Sequence, residues 1–194
     1  MSKYMSFAFC ALGFLAISAV ALGAAPANPK VLMKTSKGDL TIELYQDKAP
    51  ITVKNFLAYV DEKFFDNTVI HRVSRGFVIQ GGGYTVEYRR KNTKAPIKNE
   101  AANGLSNKHY TLSMARAGDI DGATSQFFIN LKDNYELDHK NNTPEGFGYA
   151  VFGAVVSGME IVDAIGSLPI MSKMGQREAP RENVIILSVS RIIN

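Results

Sequence analysis

The chain has 194 residues, 46% of them apolar, a formal net charge of +4 and a single cysteine. That length suits one compact domain with a true hydrophobic core, and one cysteine excludes a disulfide framework. The cationic excess gathers in Arg89, Arg90, Lys91, Lys94 and Lys98 around Pro96; a nucleic-acid-binding face needs more cations interleaved with aromatics, so this reads as a solvated loop and no nucleic-acid partner is expected.

At the N-terminus Lys3 is the only charge before an almost wholly apolar run from Phe7 to Leu22, and small residues follow at Gly23, Ala24, Ala25 and Ala27. This order reads as a signal peptide over residues 1–24, cleaved between about 23 and 27. The run is shorter than the ~20 apolar residues of a transmembrane anchor, so export without lasting membrane insertion is expected. Cys10 follows Phe9 inside the apolar run, too early for a lipidation signal, and leaves with the signal. Removal of Lys3 takes the net charge from +4 to +3.

Val31 to Thr35 and Leu40 to Tyr45, joined by Ser36-Lys37-Gly38-Asp39, read as a β-hairpin. Pro50 opens a helix on which Val53, Phe56, Leu57, Val60 and Phe64 share one face. Strands are expected at Val69 to Val73, Phe77 to Gln80, Leu112 to Ala115, Gln126 to Ile129 and Ala150 to Val155. A second helix is expected to start at Ser157, with a hydroxyl cap answered by Glu160, and to stop near Gly166. Val184 to Val189 reads as a last strand. Many short strands with two separate helices do not alternate as βαβ units, so an antiparallel barrel or sandwich with helices at its ends is expected.

The stretch from His71 to Gly83 reads HRVSRGFVIQGGG. Side chains alternate faces along a strand, so Arg72 and Gln80 flank an apolar floor that includes Phe77 if a turn at Ser74-Arg75-Gly76 resets the phase. Such a surface holds one fixed cation, one amide and an apolar wall, with no nucleophile paired to a base and no phosphate loop. Its chemistry is binding and electrostatics. His71, His109 and His139 are not at metal-ligand spacing. Gly146, Gly148 and Gly153 are misplaced for a dinucleotide loop, and Asp119, Asp121 and Gly122 lack the other ligands of a calcium loop. No metal and no cofactor are expected.

Two further stretches carry information: LSMARAG from Leu112 with ATSQFFIN from Ala123, and FGYAVFG from Phe147. With HRVSRGFVIQGGG they resemble the cyclophilins, the peptidyl-prolyl cis/trans isomerases, in matching order from about Val31 to the C-terminus. The resemblance implies a mainly β domain over residues 30–194: a closed eight-stranded antiparallel β-barrel capped by two α-helices. It implies that Arg72, with Phe77 and Gln80, is catalytic, and that Phe77, Val78, Phe128 and Leu137 form a proline pocket. Gln80 and Gln126 are implied to hydrogen-bond the substrate backbone, Ala115 and the main chain of Arg116 to align the residue before proline, and Tyr149 to close the rim. Met114, Ala115, Arg116 and Tyr149 are similar to those of exported bacterial cyclophilins, which implies a periplasmic location. The implied partners are proline-containing unfolded or flexible polypeptides, met by a monomer without a cofactor. This chain departs from the usual pattern at Glu136, where an aromatic residue is common, at Tyr110, where glycine is usual, and at Val78, where methionine is.

Amide resonance gives X-Pro rotation a barrier of about 20 kcal/mol. At the twisted transition state the prolyl nitrogen gains a lone pair, so a guanidinium aimed at it binds the transition state better than either planar isomer. Arginine suits this because it is permanently charged and planar. The alternative is a weakly catalytic or non-catalytic module that grips proline loops as a chaperone. A secreted hydrolase fits less well, because no serine or acid is paired with a histidine.

Overall fold

The computed structural model describes residues 28–193; the signal peptide expected over residues 1–24 lies outside them. Strands β1 (Lys30–Thr35) and β2 (Gly38–Leu44) form the expected hairpin, with Lys34 opposite Asp39 and Thr35 opposite Gly38. Alternate residues Val31, Met33, Leu40, Ile42 and Leu44 are buried, as a strand with one core-facing side requires.

Helix α1 (Pro50–Asp61) begins at Pro50, where a missing N–H costs nothing. Its free amides find a partner far along the chain. Glu100 accepts from Ile51 N at 3.1 Å, from Thr52 N at 2.8 Å and from the Thr52 hydroxyl at 2.7 Å, a carboxylate at the positive end of the helix dipole. Val53, Phe56, Leu57 and Val60 are buried on one face as expected. Phe64 is not part of that stripe: the helix stops at Asp61, and Lys63 turns the chain at φ 55°.

The remaining strands are β3 (Thr68–Ile70), β4 (Arg72–Ser74), β5 (Val78–Gly81), β6 (Thr111–Met114), β7 (Phe127–Asn130), β8 (Val151–Ser157), β9 (Ile170–Lys173), β10 (Gln176–Pro180) and β11 (Val184–Ile192). Among the described residues, nine of the strands form one antiparallel sheet in the order β3-β11-β1-β2-β8-β6-β7-β5-β4. Its two edge strands are consecutive in the chain, so the sheet curls into a nearly closed barrel. The count is nine rather than eight because the strand expected over Val69 to Val73 breaks at His71. On one side of the break Ile70 pairs with Val184 of β11; on the other Arg72 pairs with Gln80 of β5. One run of chain thereby changes neighbours, and the His71 amide donates to Gln80 O at 3.0 Å across the break.

The barrel interior is filled by Phe56, Phe65, Phe127 and Phe152, all essentially buried. Phe56 lies with its ring centroid 5.0 Å from Phe65, 5.8 Å from Phe127 and 5.3 Å from Phe152, within the range of favourable tilted and edge contacts.

Two further expectations are corrected, and one element is new. Ser157 does not cap the second helix, because it is the last residue of β8; the cap of α2 (Met159–Gly166) is Gly158 at φ 87°. A Cβ at Gly158 would strike the Asp39 carbonyl, so a serine-type cap cannot take that place. β11 runs on to Ile192, past the expected end at Val189. A two-stranded hairpin of β9 and β10, not expected at all, turns through Met174 at φ 44° and Gly175 at φ 86°.

Candidate active site

The turn after β4 decides the geometry. Gly76 has φ 64° and the Phe77 amide donates to Ser74 O at 3.0 Å, so the chain reverses within three residues and Phe77 belongs to the turn rather than to a strand. β4 and β5 then pair with Arg72 directly opposite Gln80, and directly opposed residues project from the same face. Arg72 Nη1 lies 3.4 Å from Gln80 Oε1, and Gln80 Nε2 donates to Gln126 Oε1 at 2.9 Å. A Cβ at Gly83 would collide with the Gln126 side chain, so the third glycine of the triplet leaves room for that amide.

Nine of the ten residues singled out in the sequence line one cavity of about 140 Å³: Arg72, Phe77, Val78, Gln80, Ala115, Arg116, Phe128, Leu137 and Tyr149. The tenth, Gln126, lines an adjoining hollow of about 190 Å³ that shares Gln80, Ala115 and Arg116. Val78 and Phe128 are buried and supply an apolar floor. The Tyr149 ring meets Phe128 edge-on at 5.6 Å.

The Arg116 guanidinium sits 5.0 Å from the centre of the Tyr149 ring. It donates through Nε to Gly148 O at 3.1 Å and through Nη2 to Pro144 O at 2.6 Å. Its charge is thus spent holding the rim loop. Leu137 stands on a short 3-10 turn, Tyr135–Leu137, and its carbonyl accepts the Tyr149 amide at 2.9 Å.

Several residues that position these groups were not singled out in the sequence. Asn134 is fully buried and donates to Phe77 O at 2.9 Å and to Asn130 Oδ1 at 2.8 Å, tying the 3-10 turn to the turn before β5. Asp138 accepts from Asn107 N at 2.7 Å, from Asn107 Nδ2 at 2.9 Å and from the Ser106 hydroxyl. A sequence signal existed in the asparagines at 107, 130 and 134, because buried amides must find partners. Glu178 of β10 is the other omission: Arg72 Nε donates to its Oε2 at 2.7 Å and the Ser74 hydroxyl to its Oε1 at 3.0 Å.

The hydrogen bond from Arg72 holds the Glu178 carboxyl below the usual carboxylate range. His71 is buried at 3% exposure and faces away from the cavity against the Tyr84 ring, 4.6 Å between centroids. Burial, aided by the neighbouring Arg72 charge, pushes its pKa down to about 4, so its imidazole is neutral near pH 7.

Residues 30–191 match the family model described as cyclophilin type peptidyl-prolyl cis-trans isomerase. A peptidyl-prolyl cis-trans isomerase of Streptomyces antibioticus is 50% identical over 158 residues, covering 81% of this chain and 95% of that protein. Peptidyl-prolyl cis-trans isomerase B of Escherichia coli K12 is 48% identical over 160 residues, covering 82% of this chain and 98% of that protein. Among solved structures, a cyclophilin type isomerase of Cryptosporidium parvum superposes with a TM-score of 0.70 at 26% identity, covering 86% of this chain and 99% of that one. The same Cryptosporidium protein, solved in the presence of the dipeptide Ala-Pro, gives a TM-score of 0.69 at 27% identity, covering 85% of this chain and 99% of that one. The chain therefore belongs to the cyclophilin-type peptidyl-prolyl cis/trans isomerases, enzymes that catalyse rotation about the bond preceding proline.

Proposed function

We propose that this isomerase works on proline-containing segments of exported proteins as they fold, and that it stabilises the twisted amide electrostatically through Arg72. The observation that carries the reading is the direct opposition of Arg72 and Gln80 beside the apolar floor of Phe77, Val78 and Phe128. The pyrrolidine ring fits that floor, where its apolar surface leaves water. The Arg72 guanidinium then reaches the prolyl nitrogen, which offers a lone pair only while the amide is twisted. Gln80 and Gln126, already bonded to each other, hold the backbone on one side of the rotating bond. Ala115 and the main chain of Arg116 align the residue before proline, and Leu137 and Tyr149 form the far wall and rim. The preference for the transition state over either planar isomer is what lowers the barrier.

Export is the part of the reading that rests on Lys3, the apolar run and the small residues after it, with the isomerase domain occupying residues 30–194 and acting as a monomer in the periplasm. The barrel is read as the family's closed eight-stranded form, with β3 and β4 counted as two halves of one strand bent at His71. A protease-coupled or NMR exchange assay on a proline peptide, with Arg72→Ala beside the unaltered enzyme, tests the mechanism. Turnover that survives the substitution in a folded protein overturns it.

A further inference from the structure

We propose that Glu178 is a positioning residue for the isomerisation: it grips the Arg72 guanidinium by its Nε edge and thereby aims the Nη groups into the proline cavity. The inference rests on the assignment of Arg72 as the catalytic cation. Among the described residues Glu178 is the one carboxylate in ion-pair range of Arg72, at 2.7 Å from Nε. It does not line the cavity, whereas Arg72 does, so any effect it has on substrate passes through the arginine. With Nε engaged, Nη1 points along Gln80.

The carboxylate is itself held. Its second oxygen accepts the Ser74 hydroxyl at 3.0 Å, which fixes the plane of the carboxyl group against β4. Its strand is anchored one residue further on, where Ala179 is fully buried in a small cluster with Val69 and Tyr88. The β9–β10 ladder pairs Gln176 with Lys173 and then resumes only at Ala179 opposite Met171. The irregularity leaves Glu178 outside regular pairing and turned toward Arg72.

Two effects of the pair oppose each other. A neighbouring negative charge weakens the field of the guanidinium at the prolyl nitrogen, while a fixed hydrogen bond removes the rotamer freedom of a long side chain. Both side chains are 36% exposed, so water screens the charge effect; orientation is not screened and dominates. An acceptor without charge should therefore serve nearly as well as the carboxylate, which separates positioning from charge balance.

The test is steady-state isomerisation of a proline peptide by the full mature domain, with Arg72→Ala, Glu178→Ala and Glu178→Gln. Glu178→Ala should lower kcat about three- to tenfold and change KM by less than about twofold, while Glu178→Gln stays within about twofold of the unaltered enzyme on both. The Arg72 Hε–Nε signal in NMR should move toward the free-arginine position in Glu178→Ala and move less in Glu178→Gln. If the alanine variant loses its fold, Glu178→Met, which keeps the length of the side chain, makes the same comparison. Normal or raised kcat in Glu178→Ala overturns the inference, as does an equal loss in Glu178→Gln. When Arg72→Ala is inactive and Glu178→Ala normal, only the role of Glu178 falls. When Arg72→Ala turns over normally, the assignment of Arg72 falls first.

Discussion

Arg72 and Gln80 are direct cross-strand partners, with 3.4 Å between Nη1 of one and Oε1 of the other. The pair places a permanent cation and a neutral amide on one face, the arrangement that the proposed electrostatic mechanism requires. Arg72→Ala should cut kcat/KM by about 100-fold, the usual loss of one transition-state donor, with circular dichroism unchanged. Arg72→Lys should also be poor, since an ammonium lacks the planar fork. Near-normal turnover in a folded Arg72→Ala protein would refute the mechanism.

Catalysis should be nearly flat between about pH 5.5 and 8.5, the range in which an ordinary histidine titrates. No proton moves in the rotation, Tyr149 rather than a histidine stands at the rim, and His71 is turned away from the cavity with a pKa of about 4. A bell-shaped kcat/KM profile with a limb near pH 6.5, in protein that stays folded, would show that an ionising group takes part.

Stability should behave differently from activity. His71 binds its proton less readily folded, at about 4, than in the unfolded chain, near the ordinary histidine value of 6.5. The unfolded state therefore takes up protons first as pH falls. The contribution is fully present above pH 6.5 and is lost between there and pH 4, amounting to about 3 kcal/mol. Urea midpoints across this window should fall for the unaltered protein and fall less for His71→Gln. Parallel curves would mean that the His71 environment accepts the charged ring.

Asn134→Ala should cost about 2 kcal/mol, because it leaves the Phe77 carbonyl and the Asn130 amide oxygen without their buried donor. The same bonds hold the Leu137 turn against the cavity, so KM for a proline peptide should rise more than kcat falls. Chemical denaturation and initial-rate kinetics on one preparation read both.

Mass spectrometry of the exported product should find an N-terminus between Ala24 and Asn28 and no lipid, as the order of Lys3, apolar run and small residues requires. An intact Met1 or a lipidated Cys10 would contradict export by this route.

The cavity was legible in the sequence where its parts are local. Arg72, Phe77 and Gln80 sit on one hairpin, and the turn at Gly76 that resets their phase announces itself. Glu178 is 106 residues from Arg72, and it arrives on a hairpin whose first strand is largely exposed. With no buried face, that strand has no alternation to read. The failed cap at Ser157 has a similar origin, since the residue was already committed to β8. Tyr110 shows why the family usually has glycine there: its backbone takes φ 65°. Here the side chain offsets that strain by donating its hydroxyl to Asp163 at 2.8 Å and stacking on His109 at 3.6 Å between ring centroids.

The break at His71 gives the barrel a seam, and the seam runs through the strand that carries Arg72. β3 pairs along its length with β11 and touches Tyr84 and Thr85 only through an isolated bridge, and β11 pairs on its other side with β1. Closing the ring therefore waits for residues 184–192, and these contacts are among the most distant in sequence that the fold contains. Until residues 184–192 are present, β3 lacks its ladder partner, although the β4–β5 pairing that sets Arg72 opposite Gln80 is local. The strand leading into the Arg72 hairpin is thus completed by a segment more than ~110 residues downstream, so its order depends on long-range closure rather than on the local turn.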